Sequence, residues 1–150
     1  MRGKTDFLLI DVNLLLYAKV SNYPQHKAAA SWFEQQVNEQ IRMGIPWANI
    51  LAFLRIVTNP RVYRVPLSIN DAQAQIDEWL NLPNVWIPLP TGQHRRILSQ
   101  LLFENQLTGN LIPDAHLAAL AIEHGLEVCT TDTDFAHFSG CKWRNPLQEP

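Results

Sequence analysis

Three aspartates far apart along the chain, Asp11, Asp114 and Asp132, occupy equivalent places, each where an apolar segment gives way to a turn or a helix start. Asp11 closes the run Phe7-Leu8-Leu9-Ile10 and is followed, across Val12, by Asn13 and a second apolar run, Leu14-Leu15-Leu16-Tyr17-Ala18. Asp114 opens a helical stretch after Leu111-Ile112-Pro113, and Asp132 lies just beyond Leu126 to Thr130. Carboxylates gathered in one pocket repel, so at least one keeps its proton at neutral pH unless a cation neutralises the group. No Cys or His joins the set, and ligands that are all oxygen favour Mg²⁺ or Mn²⁺ over zinc. An ion held by a few carboxylates and water lowers the pKa of that water and braces a phosphate oxygen, chemistry that suits phosphodiester hydrolysis. Taken singly, each acid has a plainer reading: Asn13 is a good helix N-cap, and an acid near a helix start is favoured by the helix dipole. The repetition is what points to one site.

The elements that must position these acids alternate. Phe7 to Ile10 reads as a buried parallel strand, and Pro24 to Ile41 carries Ala28, Ala29, Trp32, Phe33, Val37 and Ile41 at helical spacing. Gly44 breaks that helix. Ile45-Pro46-Trp47 fits a short second strand, leading into an apolar helix from Ala48 to Thr58 that Asn59-Pro60 stops. Ser68 and Asp71 open a capped helix to Leu80, Asn84 to Leu89 reads as a third strand, and Thr91 caps a helix running to about Gln106. Pro113 at a first helical position and Gly125 just past the end bound the next helix. Leu126 to Thr130 is a fourth strand, and Cys141 to Arg144 a short fifth. Strands alternating with helices predict a parallel sheet covered on both faces, with ligands bound at the carboxyl ends of the strands. The three acids then share one edge.

Around Tyr63, Arg61 and Arg64 join Arg55 in the densest basic cluster beside an aromatic ring. Such a cluster holds phosphates while the ring stacks on a base, or it is only a solvated loop. Its place after the second strand–helix unit predicts a position near the active edge. His26, His94, Arg95 and Arg96 read as surface or capping residues. His116 lies about 200° around its helix from Asp114 and reads as packing or surface.

At 150 residues the chain is one domain over 1–150, with 47% hydrophobic and 17% charged residues, enough to bury a single core and unlike disordered or membrane classes. Met1-Arg2-Gly3-Lys4 before an apolar run resembles a signal peptide, but Asp11 and Asn13 interrupt the run and no small-residue cleavage pattern follows, so the expectation is a cytoplasmic protein with no membrane partner. A net charge of −2 supplies no global basic field, so nucleic-acid binding would need a local patch. Cys129 and Cys141 lack Cys-x-x-Cys spacing and His neighbours, and read as buried free thiols.

Four segments in order, Leu9-Ile10-Asp11-Val12-Asn13-Leu14-Leu15-Leu16-Tyr17-Ala18, Phe53-Leu54-Arg55-Ile56-Val57-Thr58-Asn59-Pro60-Arg61, Gly109-Asn110-Leu111-Ile112-Pro113-Asp114-Ala115-His116-Leu117 and Thr130-Thr131-Asp132-Thr133-Asp134-Phe135, resemble PIN-domain ribonucleases of the VapC toxin type. The resemblance implies an α/β fold, a three-layer α/β/α sandwich on a mostly parallel sheet of about five strands. It also implies metal-dependent endoribonuclease activity, often on transfer RNA, with Mg²⁺ or Mn²⁺ as cofactor, a small VapB-type antitoxin as partner, and a homodimer. By this resemblance Asp11 and Asp114 are the principal metal ligands, Asp132 is a further acid of the site and Asp134 the second acid of its turn. Asn13 and Thr130 correspond to polar residues that orient the acids. The chain departs from the pattern at Ala52, where many members carry a Glu; that loss weakens metal affinity, shifts reliance to Asp134, or marks a different metal arrangement.

Two folds of the same sheet type fit less well. A receiver domain needs a phosphorylated Asp after the third strand, where this chain has Pro88-Leu89-Pro90, and a haloacid-dehalogenase phosphatase needs Asp-x-Asp where Asn13 stands. The stronger rival is a PIN-fold module that binds RNA or an antitoxin without cutting, its site impaired at Ala52.

Overall fold

The computed structural model describes residues 7–148, so Met1–Lys4 lies outside them. Its elements are β1 (Phe7–Ile10), α1 (Val12–Lys19), α2 (His26–Asn38), β2 (Arg42–Gly44), α3 (Trp47–Val57), α4 (Ile69–Leu80), β3 (Val85–Trp86), α5 (His94–Asn105), α6 (Leu111–His124), β4 (Glu127–Cys129), a 3₁₀ turn (Thr133–His137) and β5 (Trp143–Arg144). The strands form one five-stranded sheet in the order β3-β2-β1-β4-β5, every pair parallel. Among the described residues, no helix is long and apolar enough to cross a membrane.

The pleat of β1 divides the core in two. Leu8 and Ile10 face one cluster with Leu14, Leu15, Phe33, Phe53 and Trp79. Leu9, on the opposite face, joins Leu117, Ala118, Leu120, Val128 and Phe135. Side chains alternate across a strand with a period of two, and a parallel sheet buries both faces, so four short apolar residues suffice for the central strand. Helices α1 to α4 cover one face, and α5 and α6 the other. The order reverses between β1 and β4, whose flanking helices lie on opposite faces, leaving a crevice at their carboxyl ends.

Several boundaries move from those read in the sequence. The second strand is Arg42–Gly44 rather than Ile45–Trp47. Gly44 belongs to it because a Cβ there would meet Pro88 Cγ at 3.0 Å and the Leu8 carbonyl oxygen at 3.3 Å, so the missing side chain admits close neighbours rather than breaking a helix. Helix α6 begins at Leu111, two residues before Pro113; the imide costs nothing there because the first four N–H groups of a helix have no intrahelical partner. Gly125 ends α6 in the left-handed region (φ +68°), with Leu126 N–H returning to the Ala121 carbonyl at 2.8 Å. Inside β4, the buried Glu127 pairs with Arg144 of β5 at 2.8 Å, a charge that an apolar strand pattern does not announce. Cys129 is buried, and burial pushes the half-buried Cys141 thiol up to about 12.

Candidate active site

Asp11, not Asn13, caps α1. Its backbone is extended (ψ 156°), it continues the β1–β4 ladder through its N–H to the Cys129 carbonyl at 3.0 Å, and its Oδ1 accepts from Val12 N–H at 2.8 Å. A cap must sit outside the helical region, which the last ladder residue already does, and this leaves Asn13 inside the first turn.

The second oxygen of Asp11 meets a hub. Thr130, fully buried at the end of β4, donates its hydroxyl to Asp11 Oδ2 at 2.8 Å. The same hydroxyl oxygen accepts from Asn13 Nδ2 at 3.1 Å and from Asp132 N–H at 3.0 Å, so its one donor and two lone pairs are all used. Asn13 also lies 3.4 Å from Asp11 Oδ2 through Nδ2, and its Oδ1 accepts from Thr131 N–H at 3.3 Å. Asp132 in turn caps the 3₁₀ turn, its Oδ1 accepting from Asp134 N–H at 2.8 Å. Local capping chemistry therefore fixes two of the acids before any ligand is considered.

Across the crevice, the first turn of α6 presents Asp114. One carboxylate oxygen from each of Asp114, Asp132 and Asp134 lies within 4.8 Å of the others. Asp11 stands outside that triple but close to it. Its burial raises its own pKa, against the hydrogen bonds from Thr130 and Val12, and its charge helps raise that of Asp114. The Asp114 carboxyl is pushed up to about 7, first by burial and then by Asp11, Asp132 and Asp134. Among the described residues, no Lys or Arg forms an ion pair with any of the four acids. Carboxylates this close, with no cation paired to them among the described residues and only oxygen donors, fit a hard divalent ion.

The structure thus brings Asp11, Asp114, Asp132, Asp134, Asn13 and Thr130 to one place. It sends the arginines elsewhere. α1 starts at Asp11, and α3 starts at the same edge, because buried Asn49 in its first turn donates Nδ2 to the Ile10 carbonyl at 2.8 Å. Arg55 is in the last turn of α3, and the 59–67 segment packs beyond α1, where the Tyr63 and Tyr23 hydroxyls meet at 2.7 Å. Eight residues of α1 carry that segment about 12 Å from Asp11, so the expectation of a position near the active edge is corrected. The three arginines are exposed, while Tyr63 is half-buried, its ring edge-on to Tyr23.

Sequence reasoning also missed Asn49, whose only signal is one amide at the head of an apolar helix, and a buried polar chain between α5 and α6. Glu123 accepts from Thr91 N–H at 2.7 Å and meets His94 Nδ1 at 2.7 Å, while His94 Nε2 lies 3.0 Å from His116 Nδ1. His94 is therefore not a surface residue, His116 takes the packing role of its two readings, and burial, then His94, lowers the pKa of His116 against the opposing Glu123. His26 does not cap its own helix, whose N-cap is Gln25; its Nδ1 lies 2.8 Å from the Tyr17 carbonyl oxygen in the last turn of α1.

The family model described as PIN domain matches residues 8–140. This chain belongs to the PIN-domain family. Among curated PIN relatives it is 40% identical over 142 residues to Ribonuclease VapC33 of Mycobacterium tuberculosis, covering 95% of this chain and 99% of that one. It is 36% identical over 138 residues to Ribonuclease VapC37 of the same organism, covering 92% and 96%. Of solved structures, VapBC2 from Rickettsia felis bound to a promoter DNA fragment superposes with a TM-score of 0.68 at 14% identity, covering 92% of this chain and 97% of that one. VapBC-1 from nontypeable Haemophilus influenzae gives 0.64 at 14% identity, covering 94% and 98%. At such identities the structures speak for the PIN fold alone.

Proposed function

We propose that this protein is a metal-dependent endoribonuclease, the VapC-type toxin of a toxin–antitoxin pair, built as one PIN domain and acting on RNA, transfer RNA included, in the cytoplasm. The observation that carries this reading is the convergence of Asp11, Asp114, Asp132 and Asp134 at the sheet's switch point with no cation paired to them among the described residues, in a chain 40% identical to a named VapC ribonuclease. Asp11, Asp114, Asp132 and Asp134 hold Mg²⁺ or Mn²⁺. A bound ion of this kind neutralises the carboxylates, lowers the pKa of water and stabilises charge on a phosphate. Thr130 and Asn13 keep Asp11 and the Asp132 turn in fixed orientation, so the carboxylates need not reorganise when charge develops beside them. Arg55, Arg61 and Arg64 hold phosphates of the RNA remote from the cut.

The partners proposed are a small VapB-type antitoxin and a second copy of this chain. Large apolar side chains at Trp47, Leu51, Val62, Val65 and Ile69 remain exposed on α3, α4 and their connection, which supports burial against a protein partner.

The test is cleavage of a transfer-RNA pool by the purified protein with Mg²⁺ or Mn²⁺, beside an EDTA control and Asp11→Asn. Cleavage that needs both the ion and Asp11 is expected. Intact RNA in every lane, with binding retained, would convert the reading into that of a non-cutting RNA-binding module.

A further inference from the structure

Asp114 and Asp134 differ from Asp11 and Asp132 in how they are held. Asp11 and Asp132 accept hydrogen bonds from Val12, Thr130 and Asp134, whereas among the described residues no donor reaches the carboxylate of Asp114 or Asp134; Asp134 is tied by its backbone N–H to Asp132, and Asp114 stands apart on α6. Its position is set by where α6 lies. The buried face of α6 is Ala115, Leu117, Ala118, Ala119, Leu120 and Ala121, and four alanines of six give little to stop the helix sliding along its axis. Apolar burial is non-directional and does not fix such a register.

A directional restraint is present on the same helix. Glu123 is 1% exposed and His94 13%, and both oxygens of Glu123 are occupied, by Thr91 N–H and His94 Nδ1. A carboxylate only accepts, so His94 Nδ1 donates to it. With both rings neutral, His94 Nε2 accepts from the Nδ1–H of His116. His94, at the start of α5, is thereby clamped between two turns of α6 seven residues apart, about 10 Å along the axis. A slide of half a turn, about 2.7 Å, lengthens one of these hydrogen bonds beyond any useful distance.

We infer that the Glu123–His94–His116 chain is a positioning device for metal binding: it locks the register of α6 against α5 and so holds the unbonded Asp114 carboxylate opposite Asp132 and Asp134. His116 acts through Asp114 and touches no reacting group. The inference rests on the acids being a metal site, and the experiment separates the two. Mn²⁺ binding is measured by calorimetry on wild type, Asp114→Asn, His116→Leu and His124→Leu, with melting temperatures alongside. His116→Leu leaves the Glu123–His94 pair intact and so spares the fold. His124→Leu removes an interaction of similar kind on α6, its 2.6 Å approach to the Leu89 carbonyl and its edge-on packing with Trp86, without touching the clamp.

The expected result is that His116→Leu weakens Mn²⁺ binding about tenfold, the lower end of what outer partners of metal ligands contribute. Cleavage at saturating Mn²⁺ stays near wild type, and His124→Leu lowers only the melting temperature. Wild-type affinity in His116→Leu, or an equal loss in His124→Leu, overturns the positioning role alone. A wild type that binds no Mn²⁺ overturns the site and this inference together.

Discussion

Replacing Asp114 by Asn removes a charge while keeping the shape of the side chain, and it should stabilise the metal-free protein. The Asp114 carboxyl is raised from its ordinary 3.8 to about 7 by burial and by the acids around it. The folded state therefore holds this proton more tightly than the unfolded chain does. The resulting stability is fully present below about pH 4 and is lost as pH rises through 7. Taken at face value, ionising such a group in the folded protein costs about 4 kcal/mol at pH 8. Asp114 is only half-buried, so solvent screening reduces this to about 1–2 kcal/mol. For a chain of this length that is roughly 3–6 °C in melting temperature. In EDTA at pH 8, Asp114→Asn should melt above wild type by this margin. At pH 4 the two should coincide, because the wild-type carboxyl is then protonated. Added Mn²⁺ at pH 8 should reverse the order, since the ion stabilises the wild type more. If Asp114→Asn melts at or below wild type in EDTA at pH 8, neither burial nor repulsion among the acids raises the Asp114 carboxyl as argued.

Two further outcomes follow from the same geometry. Ala52 is half-buried in α3 one turn beyond Asn49, so Ala52→Glu adds a carboxylate on the helix that Asn49 holds beside Asp11; it should lower the melting temperature in EDTA by a few degrees and tighten Mn²⁺ binding, and unchanged binding by calorimetry would place position 52 outside the site. Arg61→Ala with Arg64→Ala should leave Mn²⁺ affinity alone and reduce the slope of log K for RNA against log salt by up to about 1.4, near 0.7 for each single-strand phosphate that is no longer neutralised; a slope identical to wild type, read by filter binding across a salt series, would remove those residues from the RNA path.

The parallel sheet and the convergence of the acids were legible because each depends on short-range signals. An apolar strand ending at Asp11, a helix opening near Asp114 and a polar turn after Thr130 are local patterns, and right-handed alternation of strands and helices brings their ends to one edge. What escaped depends on neighbours distant in sequence. Gly44 reads as a breaker until Pro88 and the Leu8 carbonyl are seen against it. His94 sits in a polar-looking first turn, and only the packing of α5 on α6 turns it inward onto Glu123 and His116. The arginine segment was misplaced for a simpler reason: α3 is long enough to carry the chain away from the edge where it starts.

The four acids are held unequally, and that inequality bears on how the site binds. Asp11 is buried and surrounded by donors, so its orientation is fixed whether or not a cation is present. Among the described residues Asp114 has no donor, and burial, then the neighbouring acids, raise it to about 7, so in the metal-free protein it still binds a proton near neutral pH. A divalent cation entering the crevice would replace that proton and remove the repulsion at once, so Mn²⁺ affinity measured by calorimetry is expected to rise with pH up to about 7 and level off above it. Hydrogen-bond donors around Asp114 would orient it better but would also partly neutralise it. They would weaken the attraction for the ion. Placing the orienting hydrogen bonds at the far side of α6, on His116 and Glu123, fixes the carboxylate while leaving its charge for the metal.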